Sequence, residues 1–162
     1  MAILDSGERR EFSTGAVRDI SDLKGRPTLM PLKVVSRLLG KQTGDYIFQC
    51  IASFTETGET RYLYAALIKF VTMAYGGETE TMILEAAVHF EEGAKKYPPG
   101  PDGVPNYQLG IPVDCYLDSA IRHYLKYRRG DNDEPHDRAF VWNLMCCIWE
   151  VDYHYENQNS EN

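Results

Sequence analysis

From Pro31 onward the apolar residues of this chain recur three and four positions apart, and no run alternates apolar with polar long enough to make a strand. That periodicity predicts an all-α fold, a single-domain bundle of about six helices. Pro31 suits a first helical position, opening PLKVVSRLL before Gly40 stops it. A second helix is expected over 45–54, with Ile47, Ile51 and Phe54 on one side, and a third over 61–75, ended by Gly76 and Gly77. The fourth covers 79–96 and shows the apolar stripe Ile83, Ala86, Ala87, Phe90 and Ala94. The fifth covers 113–129, with Asp114 as its N-cap. The sixth begins at DNDEPHD, where Asp133 or Glu134 caps it and Pro135 enters the first turn. Residues 1–30 read as an irregular segment packed on the site, 31–152 as the helical nucleotide-binding domain, and 153–162 as a flexible tail.

The formal charge of −7 disfavours nucleic acid as the main partner, because a polyanion binder needs a net basic face. A small anion held by a few cations beside acidic groups stays open. The four cysteines form no CxxC pair and read as buried free thiols of a reducing compartment. The first residues, MAILDSGERRE, lack the apolar core of a signal peptide, and no apolar run approaches a membrane span. The expectation is a cytoplasmic protein with no membrane partner.

Charge of both signs concentrates between His89 and Asn143. On the fourth helix, Glu91 follows Ile83 and Ala87 at helical spacing, which places it on the core-facing edge of the stripe. Glu92 lines up instead with Glu85, His89 and Lys96. A carboxylate facing a core needs a cation or hydrogen bonds, whereas two adjacent glutamates are more often solvated. Tyr97 leads into PPGPDGVPN, a loop that suits either a lid or a plain connection. On the fifth helix Asp118 and Arg122 are four apart and can pair, and Ser119, His123 and Lys126 form another polar line. On the sixth, Glu134 and Asp137 are spaced ExxD, and Asn143 lies among apolar neighbours and needs partners. Near the N-terminus, GAVRD and KGRPTL place Arg18, Lys24 and Arg26 beside glycines, where backbone amides and cations can meet an anion together.

Carboxylates without a Cys/His set select a hard cation, Mg²⁺ or Mn²⁺; the four histidines show no close pairing in sequence, which argues against zinc. Neither GxxxxGK[ST], GxGxxG nor GxSxG occurs. An acidic metal site flanked by Arg, Lys and His suits phosphate chemistry.

The segments GAVRD, HFEEGAKKY, N-x-QLGIP and YLDSAIRHYLKYRRGD-x-DEPHDRAFVWNL together resemble the dATP/dGTP diphosphohydrolase N-terminal domain family over roughly residues 12 to 150. That family is common in phage and prophage genomes and is related to the MazG-like all-α nucleotide pyrophosphohydrolases. The resemblance implies metal-dependent hydrolysis of a purine (deoxy)nucleoside triphosphate such as dGTP or dATP to the monophosphate. It implies that Glu91, Glu92, Glu134 and Asp137 bind Mg²⁺ (or Mn²⁺), with one of them activating water. Lys95, Arg122, His123 and Lys126 would hold phosphates, with Asn106, Tyr107 and Asn143 near base or sugar, and Lys96, Tyr97 and Asp118 are further substrate-binding candidates. Related proteins pair or form tetramers, so a homo-oligomer is expected. The chain departs from the MazG-like EExxE pattern at Lys95, which stands where a third acid would be. That departure motivates a second reading, a phage-encoded sponge that sequesters a nucleotide-derived immune signal without hydrolysing it.

Overall fold

The computed structural model describes residues 7–20 and 24–154, in which six α-helices and one small hairpin are accompanied by three short 3₁₀ turns and a π-helical turn, Glu150–His154, after the last helix. The helices are α1 (Leu32–Gly40), α2 (Tyr46–Thr57), α3 (Arg61–Ala74), α4 (Thr79–Lys96), α5 (Val113–Arg129) and α6 (His136–Trp149). The all-α, six-helix reading holds, with boundaries within a few residues of those expected. The hairpin was not foreseen: β1 (Arg9–Glu11) pairs antiparallel with β2 (Val17–Asp19), Arg10 opposite Arg18. Strands of three residues are too short for alternation to show in a sequence.

Two cap assignments change. α5 starts after Pro112, with Asp114 inside its first turn rather than capping it; an acid there still complements the helix dipole. α6 starts after Pro135, and neither Asp133 nor Glu134 caps it through its side chain. Asp45 does cap α2, its carboxylate accepting from the Phe48 amide at 2.9 Å.

The described residues fall into two compact units, one holding those up to Gly25 together with those from Leu84, the other Arg26–Ile83. In the second unit, α2 and α3 bury Ile47, Phe48, Ile51, Leu63, Phe70 and Val71 against one another and α1 adds Leu32. In the first, α5 and α6 are the most extensively paired elements, joined by the short turn at Gly130, whose left-handed φ of 85° lets the chain reverse. Tyr116, Leu117, Ile121 and Tyr124 of α5 meet Phe140, Val141, Leu144 and Ile148 of α6 in this core. All four cysteines are free thiols, three of them buried. Burial pushes Cys147 up to about 12 and Cys146 higher than an ordinary thiol, so neither is a thiolate nucleophile. Among the described residues no helix is long and apolar enough to cross a membrane.

Candidate functional site

The rotational setting of α4 decides which of its charges face the first unit. The residues buried on α4 are Met82, Ala86, His89 and Gly93, whereas Ile83 is 52% exposed and Ala87 and Ala94 lie on the surface. The inward face is therefore turned by about one residue, roughly 100°, from the expected stripe. Its cause sits on α6. The Trp142 ring packs on His89 at 5.6 Å and on Phe90 at 6.0 Å, and a Cβ on Gly93 would lie 3.9 Å from the indole nitrogen. An aromatic partner packed on this face outweighs a stripe of alanines.

Glu91 is consequently not at the core's edge. Its side chain is 66% exposed and ion-paired with Lys95, which holds the Glu91 carboxyl below its usual range. The polar line of Glu85, His89 and Glu92 is the one that faces α6: buried Arg138 reaches Glu92 at 3.5 Å and Glu85 at 3.8 Å. Beside them His89 is fully enclosed, its Nδ1 without a hydrogen-bond partner among the described residues, and burial and the Arg138 charge hold it down to about 4.

Several residues expected to meet a nucleotide instead dock the hairpin. Asn106 is buried and acts as a third strand for β2, its Oδ1 accepting from the Val17 amide at 2.8 Å and its Nδ2 donating to the Val17 carbonyl at 3.0 Å. Lys96 and the Tyr97 hydroxyl both donate to Asp19, at 2.7 and 2.8 Å. Burial and this acceptor push the Tyr97 phenol above its ordinary range. Arg18 lies over the Tyr116 ring at 4.8 Å and donates to Ser119 and to Asn143 Oδ1. Asn143 also donates to the Ala139 carbonyl, so its amide is satisfied within the protein. Arg122 donates to Ser119 and to the Gly25 carbonyl, and Asp118 is buried on the same helix. Lys24 is exposed, and Arg26 belongs to the other unit.

A pocket of 350 Å³ opens where α4, the 98–107 connection and α6 meet. Phe90, Tyr97, Tyr107, Trp142, Pro99 and Pro105 give it an aromatic, apolar lining, and Glu91 stands on its wall. Phe90 and Tyr107 meet edge to face at 5.4 Å, and the buried Trp142 indole N–H has no acceptor among the described residues. The connection is an ordered turn, with the Gly100 amide donating to Val104 and the Gly103 amide to Gly100.

The spacing rules for metal motifs gave no hint of one further cluster. His123 of α5 and His136 at the start of α6 bring their Nδ1 atoms to 3.0 Å, and Glu134 Oε1 lies 3.7 Å from each. His136 Nε2 meets Asp133 at 2.7 Å, and Lys126 pairs with Asp133 at 3.1 Å. Burial first, and then the neighbouring His136, hold His123 down to about 3, so its imidazole is neutral. Of the four acids expected to share a cation, Glu91 is with Lys95, Glu92 with Arg138 and Glu134 with the imidazoles, and no three of the four bring ligand oxygens together.

Among comparisons with known proteins, the family model described as dATP/dGTP diphosphohydrolase, N-terminal, matches residues 58–160. The match contains every site residue from Glu91 to Asn143 and leaves out Arg18, Lys24 and Arg26. No curated protein and no solved structure matches the chain.

Proposed function

Because the chain belongs to the dATP/dGTP diphosphohydrolase N-terminal family, we propose that it binds a purine deoxynucleoside triphosphate, dGTP or dATP, and hydrolyses it to the monophosphate in phage nucleotide metabolism. The observation that carries this reading is the aromatic pocket inside the matched segment. Its 350 Å³ falls within the ~300–1,000 Å³ of small-molecule sites. Its rings offer faces and edges to a flat base, and the Trp142 N–H offers a donor to a ring nitrogen or carbonyl. Phosphates leaving the pocket along α4 would pass Glu91 and Lys95, while Lys96, Arg122, His123 and Lys126 lie in the same unit. A Mg²⁺ or Mn²⁺ cradle needs several oxygens converging on one point, and no three of the Glu91, Glu92, Glu134 and Asp137 carboxylates converge, so they do not fit it as arranged. That same observation favours a second reading, in which the pocket retains a nucleotide or nucleotide-derived immune signal without turnover. The outward apolar residues of α4, with Leu84 69% and Val88 41% exposed, support a homo-oligomer.

One experiment separates the readings. Protein is incubated with dGTP and dATP, with and without Mg²⁺ or Mn²⁺, and products are resolved by chromatography. Monophosphate formation that falls ~10²-fold or more in Glu91→Gln supports hydrolysis. Nucleotide recovered intact from denatured complex supports sequestration. Absence of both binding and turnover refutes the proposal. Trp142→Phe tests the pocket, with an expected loss of affinity because the indole donor is removed while a ring remains.

A further inference from the structure

We propose that His123, His136 and Glu134 form a binding site for a borderline divalent cation of the zinc class, which takes Glu134 out of the carboxylate set considered for Mg²⁺ and stands on its own geometry whatever nucleotide is bound. The three donor atoms are separated by 3.0, 3.7 and 3.7 Å. A triangle of those sides has a circumscribed circle of radius about 2.0 Å, the distance at which imidazole nitrogen and carboxylate oxygen bind zinc. A cation near its centre reaches all three donors without side-chain movement and keeps a further position open. Two imidazoles and one carboxylate suit this class of ion, whereas hard cations prefer all-oxygen sets.

The surroundings are those of a supported ligand. His136 is 2% exposed, and its outer nitrogen meets the Asp133 carboxylate at 2.7 Å. An Nε2–H donated to Asp133 leaves the Nδ1 of His136 unprotonated as a ligand atom, the carboxylate–histidine–metal arrangement that fixes ring orientation and raises ligand basicity. Two lone pairs 3.0 Å apart repel unless something lies between them. In the metal-free protein the His123 Nδ1–H fills that gap as a hydrogen bond. On binding, the cation replaces it and the proton moves to His123 Nε2, which leaves both Nδ1 lone pairs to the cation. Lys126 stands 4.0 Å from Glu134 and 3.1 Å from Asp133, and Arg122 also acts on His123, so the two carboxylates offset the local cations and the donor set, rather than net charge, carries the site. A bound ion would clip the last turns of α5 to the first turn of α6 across the Gly130 reversal.

The test is titration of untagged, chelator-treated full-length protein with Zn²⁺ by calorimetry, with Co²⁺ as an optical probe of ligand type and geometry. The expected result is one Zn²⁺ per chain, weakened ~10²-fold or more by His123→Gln or Glu134→Gln and ~10-fold by Asp133→Asn, with the helical circular dichroism of each variant retained. Co²⁺ should give d–d absorption without a thiolate charge-transfer band. Asp133 is on the surface side of the cluster, so Asp133→Asn remains informative if a buried variant fails to fold. Absence of stoichiometric binding, binding indifferent to these substitutions, or a Co²⁺–thiolate band overturns the proposal.

Discussion

Asn106→Ala is the perturbation that most directly separates a structural from a ligand-contacting role for a residue the sequence places at the base. Its amide makes both hydrogen bonds of a strand partner with Val17, at 2.8 and 3.0 Å. A two-stranded ribbon is marginal in water on its own, so β2 depends on this amide and on the Lys96 and Tyr97 contacts to Asp19. Each bond contributes about 1 kcal/mol net, and the Val17 amide and carbonyl left behind lie in a half-buried position where desolvation adds to the loss. The total is about 2–3 kcal/mol. At ~2–4 °C per kcal/mol for a chain of this size, thermal unfolding followed by circular dichroism should shift down by roughly 4–12 °C. Limited trypsin digestion should then cut within β1 and β2, at Arg9, Arg10 or Arg18, faster than in the parent protein. Because β2 carries Arg18 to Ser119 and Asn143, nucleotide affinity should fall together with stability. An unchanged Tm with unchanged digestion, alongside lost nucleotide binding, would refute the docking role and place Asn106 on the ligand.

Two further outcomes are expected. Burial, reinforced by Arg138 and Lys96 and opposed by Asp137, holds His89 from its ordinary 6.5 down to about 4. Between those values the unfolded chain binds the proton and the folded chain does not, so stability is full above pH 6.5 and falls as pH drops toward 4. Roughly 2.5 units correspond to about 3 kcal/mol, read as the difference in urea unfolding free energy between pH 7 and pH 4 in chelator-treated protein. His123 acts in the same direction; His89→Leu should flatten the acid limb, and an unaltered pH dependence contradicts the assignment. Gly40→Ala should destabilise by about 1–3 kcal/mol in the same urea assay, because a Cβ there would lie 2.3 Å from the Asp45 backbone nitrogen; an unchanged midpoint would mean that the α1–α2 corner yields easily.

What could be read from the sequence was what local punctuation determines. Pro31, Gly40, Gly58, Gly76, Gly77 and Gly130 bound the helices, and these residues act through their own backbone conformation. The setting of α4 was not local. Counting alanines put Glu91 inward, whereas Trp142, some fifty positions later, packs on His89 beside Gly93 and turns Glu91 to solvent. The hairpin was hidden for the same reason, since its third partner is Asn106, 89 residues from Val17.

The imidazole pair was legible by a route that spacing rules for metal motifs do not take. In two helices joined by a tight reversal, residues equally far from the turn on their inward faces come opposite each other. His123 lies seven residues before Gly130 and His136 six after it, so a helix ending at Gly130 and another opening behind Pro135 bring the two rings close, tilted at 37° with their Nδ1 atoms 3.0 Å apart. Glu134 then has only the short arm of the turn to occupy, which brings its carboxylate to both rings. The ExxD spacing of Glu134 and Asp137 drew attention to these acids as oxygen ligands of a hard cation; the reversal at Gly130 gives Glu134 two nitrogen neighbours, and with them a preference for a different ion.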